Sequence, residues 1–385
     1  MPIKSKNILI LGGGIGGMVT ARDLRKHLGD QHKIILIDKN AFHTFQPSYF
    51  WLVIGWRTPA DITKPFAPLE KYGIEFHQGE VMDILPEEQK VVTDREVLSY
   101  DYLVISMGTE NDFDVMPELR NVSHTFYTFE GAIELSKIIP RFPGGSINII
   151  VPDLDHKYLP APYDTAFLLS SFYKKREMYN IDINIITPEQ SPLEFAGKEI
   201  SGQIQELLDQ NKIKLYSNTV IKSIDPQKKI IHTENSHEIS YDLLISIPKH
   251  RPIRLPHRKS LMDDKGWFIV DKYSLQTSYK NIYAIGDATS IILDNGKKLP
   301  KAGVFANNQA EVVAYNIVQS IYESREKKNF SGYGFFFIET GTGRAANLHG
   351  NFYTESSPKL TLTEPNVTFH WGKVVLEKYW IWRWF

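Results

Sequence analysis

The sequence predicts an α/β protein with two Rossmann-like domains, one inserted into the other, followed by a C-terminal region of different character. Three observations predict this organisation. Apolar runs that suit buried parallel strands lead directly into glycine-containing turns, early and late in the chain. A middle stretch has strands and a helix of its own. The last fifteen residues contain four of the seven tryptophans.

The first element is a strand, turn and helix at the start of the chain. Residues 7–11 (NILIL) form an apolar run typical of a parallel strand buried on both faces. The glycine-rich segment 12–17 (GGGIGG) follows at once, and residues 18–27 are compatible with a helix. Residues 33–38 (KIILID) then predict a second buried strand that ends in an acid. This order is the dinucleotide-binding fingerprint.

Each residue of the fingerprint has a physical role. Gly12 makes the tight turn, Gly14 lets the backbone approach a pyrophosphate, and Gly17 lets the helix pack closely on the strand. The helix N-terminus then faces the phosphate charge. Asp38 is placed to hold ribose hydroxyls, and its neighbour Lys39 is a further candidate for contact with the cofactor.

Two later strands also end in glycine turns. Residues 101–105 lead to Gly108, and residues 281–285 lead to Gly286 and Asp287. Together with the first motif, these turns resemble the flavoprotein family that has two dinucleotide-binding domains. The resemblance implies FAD, with Asp287 on the ribityl chain and Gly108 near the cofactor. It also implies that the backbone of Val81 meets the adenine.

The same pattern predicts the domain boundaries. Residues 1–111 and 251–329 are predicted to form an FAD domain from two segments, residues 112–250 an inserted second Rossmann-like domain, and residues 330–385 a C-terminal region that contacts quinone and membrane. The inserted domain has strands at 146–151 and 182–187 and a helix at 165–175.

The turn that should bind a second dinucleotide lacks glycine. Residues 152–157 (PDLDHK) follow the first strand of the inserted domain and include two acids. Bulky side chains prevent close approach of backbone to a pyrophosphate, and carboxylates repel it. The sequence therefore argues against a nicotinamide electron donor.

Several segments narrow the resemblance to one family. They are 55–62 (GWRTPADI), 157–164 (KYLPAPYD), 300–306 (PKAGVFA), 334–341 (GFFFIETG) and 377–380 (EKYW). These segments resemble the sulfide:quinone oxidoreductase and flavocytochrome c sulfide dehydrogenase family, which shares its fold with type II NADH dehydrogenases. The resemblance implies a monotopic membrane flavoprotein that passes electrons from a reduced sulfur donor through FAD to a membrane quinone.

Further candidates surround the expected flavin. Lys301 and the helix that begins near Gly303 and Val304 would stabilise the negative charge of reduced flavin, unless this is a plain core helix with an exposed lysine. Pro47 is a candidate for packing against the flavin. Residues 335–337, three phenylalanines, would form a quinone pocket or ordinary strand core.

The chain departs from the family in one decisive way. Its 385 residues include no cysteine, although the resemblance implies a pair of redox cysteines at or near Tyr158 and Phe336. A phenol and a phenyl ring form no disulfide, so the usual sulfide chemistry is excluded. Thiolate metal sites are excluded as well, and the histidines are not at metal-ligand spacing.

Three functions are compatible with these features. The first is an FAD-dependent quinone reductase that takes electrons from an unidentified donor, since hydride transfer to flavin needs no cysteine. The second is a type II NADH:quinone oxidoreductase, which the turn at 152–157 argues against. The third is a flavin-binding module without catalysis.

The C-terminal tail predicts an interaction surface. Trp371, Val375, Tyr379 and Trp382 follow helical spacing and form one apolar stripe. Such a helix lies on a membrane surface, docks on its own domain, or forms a contact between copies in a homo-oligomer. The polar N-terminus predicts no signal peptide and therefore a cytoplasmic protein, peripheral on the cytoplasmic membrane. A net charge of −1 gives no sign of nucleic-acid binding.

Overall fold

The computed structural model describes residues 4–355 and 357–385. Residues 1–3, which belong to the predicted first segment, and residue 356 lie outside the described residues. Helices follow the strands of the two parallel sheets, and runs of consecutive strands lie between them. Up to residue 112 they are β1 (Asn7–Leu11), α1 (Ile15–His27), β2 (Lys33–Asp38), β3 (Phe42–Thr44), α2 (Tyr49–Val53), α3 (Pro59–Ile62), β4 (Thr63–Pro65), β5 (Glu75–Gln78), β6 (Val81–Leu85), β7 (Lys90–Thr93), β8 (Val97–Ser99), β9 (Tyr102–Ile105) and β10 (Thr109–Asp112).

The middle of the chain has a second set of elements. They are α4 (Leu119–Val122), α5 (Phe129–Ile138), β11 (Gly145–Ile150), α6 (Ala161–Lys174), β12 (Ile181–Ile186), α7 (Lys198–Gln210), β13 (Lys214–Tyr216), β14 (Ile221–Asp225), β15 (Ile230–Thr233), β16 (Glu238–Ser240), β17 (Leu243–Ser246) and β18 (Lys249–Pro252). The last part has β19 (Ile282–Ala284), α8 (Gly303–Ile321), β20 (Tyr333–Gly341), β21 (Arg344–Asn351), β22 (Lys359–Leu362) and α9 (Val367–Trp384).

Two parallel sheets organise these elements. The first has the strand order β19-β9-β1-β2-β5, so a strand from late in the chain completes a sheet begun at its start. The second has the order β13-β12-β11-β17. The central strands of both sheets are buried on both faces, which explains why they are continuous apolar runs rather than alternating ones.

An antiparallel ribbon links the two sheets. Strand β10 leads out of the first sheet, strand β18 follows the last strand of the second, and the two strands pair with Glu110 opposite Arg251. The Arg251 guanidinium contacts carboxylates of Glu110, Asp112 and Asp114. Both covalent connections between the sheets therefore run through one charged ribbon.

The C-terminal region covers helix α6 of the inserted region. Strands β20, β21 and β22 form an antiparallel sheet, and β20 packs against α6 and α9. None of the helices in the described ranges has the length and apolar character required to cross a membrane.

Close packing of α1 against β1 depends on a glycine. A Cβ on Gly17 would lie 1.9 Å from the carbonyl oxygen of Gly12, and no side chain can relieve a clash with backbone. By contrast, Gly202 in α7 faces open space. The structure thus distinguishes a glycine that the fold requires from one that it tolerates.

We expect Gly17→Ala to lower the free energy of unfolding by about 1–3 kcal/mol, because the added methyl group forces α1 away from β1. The matched change Gly202→Ala removes a flexible residue from a helix and should raise stability by up to about 1 kcal/mol. Urea denaturation of both variants measures the difference. Equal stability of the two variants would contradict the role of Gly17.

Candidate functional site

A cavity of about 980 Å³ lies where the first parallel sheet meets the inserted region and the tail. Its walls come from widely separated segments of the chain. The predicted site residues that line it are Gly12, Gly14, Asp38, Lys39, Pro47, Val81, Gly108, Tyr158, Gly286, Asp287, Lys301, Gly303 and Phe336. Gly17 is outside the lining because it is packed beneath the turn.

The glycine turn forms one end of the cavity. Gly12 has a φ of +93°, and a Cβ there would meet the backbone of Ser106 and Met107. Gly14 faces open space and caps α1, whose first turn therefore presents its N–H groups at the cavity wall. This arrangement suits a phosphate group because the backbone donors and the helix dipole act together.

Asp38 lies at the same end of the cavity. Its carboxylate accepts hydrogen bonds from the N–H of Gly13 at 2.7 Å and of Asn40 at 2.8 Å. Burial raises the pKa of Asp38, and these two bonds oppose the shift. The carboxylate is thus fixed at the edge of the turn, where its predicted role is to hold ribose hydroxyls.

The late glycine turn brings a second helix N-terminus to the cavity. Helix α8 begins at Gly303, and a Cβ there would lie 2.5 Å from the side chain of Ile15 in α1. Gly286 and Asp287 form a short 3₁₀ turn beside it, held by a 2.6 Å hydrogen bond from the Gly286 N–H to Gln309. Two helix dipoles therefore converge on one site.

Lys301 makes contacts that its predicted role did not anticipate. Its ammonium donates to the carbonyl oxygens of Asp287 at 2.8 Å and Thr289 at 2.7 Å, and it lies 3.8 Å from the ring centroid of Trp267. Burial lowers the pKa of Lys301 to about 8, although Asp287 opposes the shift. The side chain braces the Asp287 turn, and its predicted action on reduced flavin stays a prediction.

The uncharged segment 41–56 lies between β2 and α3 and is partly regular. It contains β3 and α2, and every residue of α2 is buried. An uncharged segment that packs on all sides can form a helix turn without an amphipathic pattern. Pro47 lies in the single 3₁₀ turn before α2 and lines the cavity.

The two positions expected for cysteines face each other inside the cavity. The rings of Tyr158 and Phe336 have centroids 6.1 Å apart. The Tyr158 hydroxyl lies 2.6 Å from the Asp164 carboxylate and 3.0 Å from the carbonyl oxygen of Phe337, and its single hydrogen is donated to the nearer Asp164. Burial raises the pKa of Tyr158 well above its ordinary value, and Asp164 raises it further. The phenol therefore remains protonated.

Behind Tyr158 lies a cluster of buried charges that the sequence analysis missed. Lys373 of α9 has its ammonium 3.7 Å from Asp164 and 3.8 Å from Glu339, and both carboxylates are fully buried. Glu339 also contacts the His370 ring at 3.0 Å. Lys373 lines the cavity, and its ammonium is buried without a hydrogen-bond partner among the described residues.

Burial also controls the ionisation of this cluster. It raises the pKa of Asp164 to about 6, although Lys373 and the Tyr158 hydroxyl favour the charged form. In the sequence, the signal for this cluster is Lys373. Together with Glu377, it places two charges on one face of a tail that is otherwise rich in apolar residues.

The second parallel sheet does not present an open site of the same kind. The residues of the first turn of α6, from Ala161 to Asp164, are buried, and α6 packs against β20. Glu189, which follows β12 as Asp38 ends β2, is buried and accepts a 2.5 Å hydrogen bond from Tyr163. Neither the N-terminus of α6 nor the carboxylate of Glu189 is accessible to a dinucleotide.

The acidic turn before α6 is electrically compensated. Asp153 pairs with Lys249 at 2.7 Å and Asp155 pairs with Lys298 at 2.8 Å. Repulsion of a pyrophosphate by this turn is therefore weaker than the sequence suggested. The steric argument remains, since the turn has no glycine and the helix behind it is covered.

Two parallel sheets, a glycine turn and two converging helix N-termini define a flavin-dependent oxidoreductase of the kind with two dinucleotide-binding domains. A family model described as pyridine nucleotide-disulphide oxidoreductase matches residues 6–139 and 164–310. The chain belongs to this family.

Individual relatives agree with this assignment. The sulfide-quinone reductase of Aquifex aeolicus is 28% identical, over 98% of this chain and 91% of its own. The X-ray structure of the sulfide:quinone oxidoreductase from the same bacterium matches with a TM-score of 0.89 at 27% identity, over 98% of this chain and 91% of its own. The type II NADH:quinone oxidoreductase of Haemophilus influenzae is 25% identical, over 84% of this chain and 82% of its own.

The cofactor of this enzyme is FAD, and the cavity fits it. The open face of Gly14 admits a pyrophosphate, because a backbone without a side chain can approach it closely. Asp38 and Val81 line the end expected to hold the adenosine, and Asp287 and Lys301 line the end expected to hold the flavin. These assignments of single residues remain predictions.

Glu189 gives a test of the covered second site. Burial raises its pKa to about 7, against about 4.3 in an unfolded chain. Between these values the unfolded chain has lost a proton that the folded protein keeps, so stability falls as pH rises from about 4 to about 7. We expect Glu189→Gln to raise the free energy of unfolding by about 1–3 kcal/mol at pH 8 and by little near pH 4.

The control is Glu199→Gln, which changes an exposed glutamate of α7. Urea denaturation at the two pH values measures both variants. If Glu189→Gln and the control show the same dependence on pH, the pKa of Glu189 is not raised in the folded protein.

Proposed function

We propose that the protein is an FAD-dependent, membrane-associated quinone reductase whose donor reduces the flavin directly, without cysteine chemistry. The observation that carries this proposal is the continuous cavity. It runs from the glycine turn to the aromatic wall of β20 and the inner face of α9. Relatives named as quinone reductases support quinone as the acceptor.

FAD, when bound, supplies a carrier that accepts an electron pair from a donor and passes it to an acceptor. The protein binds the cofactor, excludes water from the site and supplies protons. Phe335, Phe337 and Trp51 make an apolar wall for a quinone ring. Reduction of a quinone to a quinol also requires two protons.

Lys373 is placed to supply one of these protons. Lys373 lines the cavity, and its buried ammonium has no hydrogen-bond acceptor among the described residues, so a quinone carbonyl that reaches it would satisfy it. Asp164 and Glu339 stand within 4 Å of the ammonium and hold its charge in a buried position. Behind them, His370 is partly exposed and connects the cluster to the surface.

The residues of the site restrict the class of electron donor but do not identify it. Tyr158 and Phe336 cannot form a disulfide or hold a polysulfide. The covered N-terminus of α6 and the buried Glu189 disfavour a nicotinamide. We therefore favour a donor that delivers its electron pair straight to the flavin over the type II NADH dehydrogenase alternative.

The outer face of α9 supports attachment to a membrane. Trp371 is 59% exposed and Trp382 is 77% exposed, with Val375 and Tyr379 between them on the same face. Lys378 and Arg383 flank this stripe. Indole and phenol rings beside cations favour the headgroup region of a bilayer. We propose that the protein binds the cytoplasmic face of the membrane through this surface, next to the cavity.

Reoxidation of reduced flavin tests the acceptor independently of the donor. Reduce the holoprotein anaerobically with one equivalent of dithionite, mix it with a short-chain ubiquinone, and follow flavin absorbance. We expect rapid reoxidation by quinone and none by NAD⁺. Lys373→Met should slow reoxidation by about 100-fold, because a proton donor is lost.

The control is Lys378→Met, which removes an exposed lysine from the same helix. Reoxidation by NAD⁺ but not by quinone would overturn the proposed acceptor in favour of nicotinamide. If Lys373→Met reoxidises as fast as the control, Lys373 is not the proton donor.

Sedimentation with liposomes tests the membrane surface. We expect Trp371→Ala combined with Trp382→Ala to reduce partitioning by about tenfold or more, because two exposed indoles no longer enter the headgroup region. The control Tyr179→Ala removes an aromatic ring that is also highly exposed but lies away from the tail. Unchanged partitioning of the double variant would exclude α9 as the attachment surface.

A further inference from the structure

The C-terminal helix reaches the glycine turn through a buried histidine. The imidazole Nδ1 of His43 lies 2.9 Å from the carbonyl oxygen of Gly13, and its Nε2 lies 3.4 Å from the indole nitrogen of Trp380. A carbonyl can only accept and an indole N–H can only donate. The imidazole is therefore the neutral tautomer with hydrogen on Nδ1.

Burial keeps His43 in this neutral form. The side chain is 3% exposed, and desolvation lowers its pKa to about 4, although the bond to Gly13 opposes the shift. No charged partner competes with the two bonds, so the histidine acts as a fixed bridge between helix α9 and the turn.

The bridge controls a peptide group that faces the cavity. In a trans peptide, the carbonyl and the following N–H point in opposite directions. Binding of the Gly13 carbonyl by His43 therefore turns the Gly14 N–H away from the histidine. No acceptor among the described residues takes that N–H, and Gly14 has open space around it.

The last residues of α9 also pack beside the glycine turn. The Phe385 ring lies 5.2 Å from the His43 ring and 6.4 Å from the Phe66 ring, measured between centroids. Phe66 packs on Gly13, where a Cβ would lie 2.3 Å from its ring. The guanidinium of Arg22 in α1 also donates to the backbone carbonyl of Arg383 at 3.2 Å. The tail thus contacts both the turn and its helix.

We propose that α9 is part of the FAD site: Trp380, acting through His43, orients the Gly13–Gly14 peptide toward the cofactor phosphates, so that FAD retention depends on the docked tail. Trp380 and His43 are positioning residues, because the chain's contact with FAD is made by the turn. This role is separate from quinone reduction and rests on the proposed function only for the membrane.

Membrane attachment then becomes linked to cofactor binding. The inner face of α9 holds the glycine turn, and its outer face carries the exposed stripe. A surface that favours the docked helix must favour FAD retention, and FAD must favour the docked helix by the same factor. The two faces of one helix therefore connect the membrane with the cofactor.

Release of FAD from the holoprotein tests this proposal. Dilute the holoprotein and follow the rise in fluorescence as FAD leaves. Trp380→Phe replaces the buried indole by a smaller phenyl ring and removes the N–H that His43 accepts. Loss of this hydrogen bond should accelerate release by about two- to tenfold. Trp56→Phe is the same change at a half-buried tryptophan outside the cavity lining and outside α9, and it should release FAD at the wild-type rate. Vesicles of mixed zwitterionic and anionic lipid should slow release from the wild type and not from Trp380→Phe.

The outcomes are distinct. Equal release rates for Trp380→Phe, Trp56→Phe and the wild type would overturn the proposal. So would an acceleration accompanied by an equal loss of stability in the apoprotein, since that describes a purely structural residue. If vesicles bind but leave the release rate unchanged, the linkage is overturned. If vesicles do not bind while Trp380→Phe still accelerates release, the role in FAD retention stands and membrane attachment fails.

Discussion

The buried charges on the inner face of α9 are the constraint on which the rest of the structure depends. Glu377 is fully buried and accepts hydrogen bonds from Arg57 and Ser48. A buried carboxylate is stable only in a position where its partners meet it, so the helix has one acceptable rotation about its axis. That rotation places Lys373 over the cavity, Trp380 against His43, and the tryptophan stripe outside.

The two parallel sheets show how one architecture can be open or closed to a ligand. In the first, a glycine turn leaves the N-terminus of α1 exposed to a cavity, and the acid after the second strand is at its edge. In the second, Tyr163 binds the corresponding acid, and the C-terminal sheet covers α6. The difference comes from the side chains and the added layer, since strand order and direction are alike.

Much of the fold could be predicted because its signals are local. Strands β1 and β2 have the predicted bounds, since an apolar run between a polar residue and a glycine has few alternatives. The sequence also predicts which residues of α9 share the apolar stripe. It does not predict that this stripe is exposed, because apolar helix faces usually pack inward, whereas in α9 the face with Lys373 and Glu377 is buried. Contacts such as Arg57 with Glu377 and His43 with Trp380 join residues 320 and 337 positions apart. Periodicity contains no information about them.

In the proposed function, the aromatic rings at Tyr158 and Phe336 would also determine the order of events in the catalytic cycle. A dithiol beside a flavin can hold a second electron pair, which lets a donor react again before the acceptor arrives. A chain without cysteine has no such reservoir. In the proposed cycle, the reduced flavin must pass its electron pair to the acceptor before it can accept another, so reaction with donor and reaction with acceptor would alternate. Turnover therefore follows whichever half-reaction is slower, and a shortage of acceptor halts the enzyme after a single reduction.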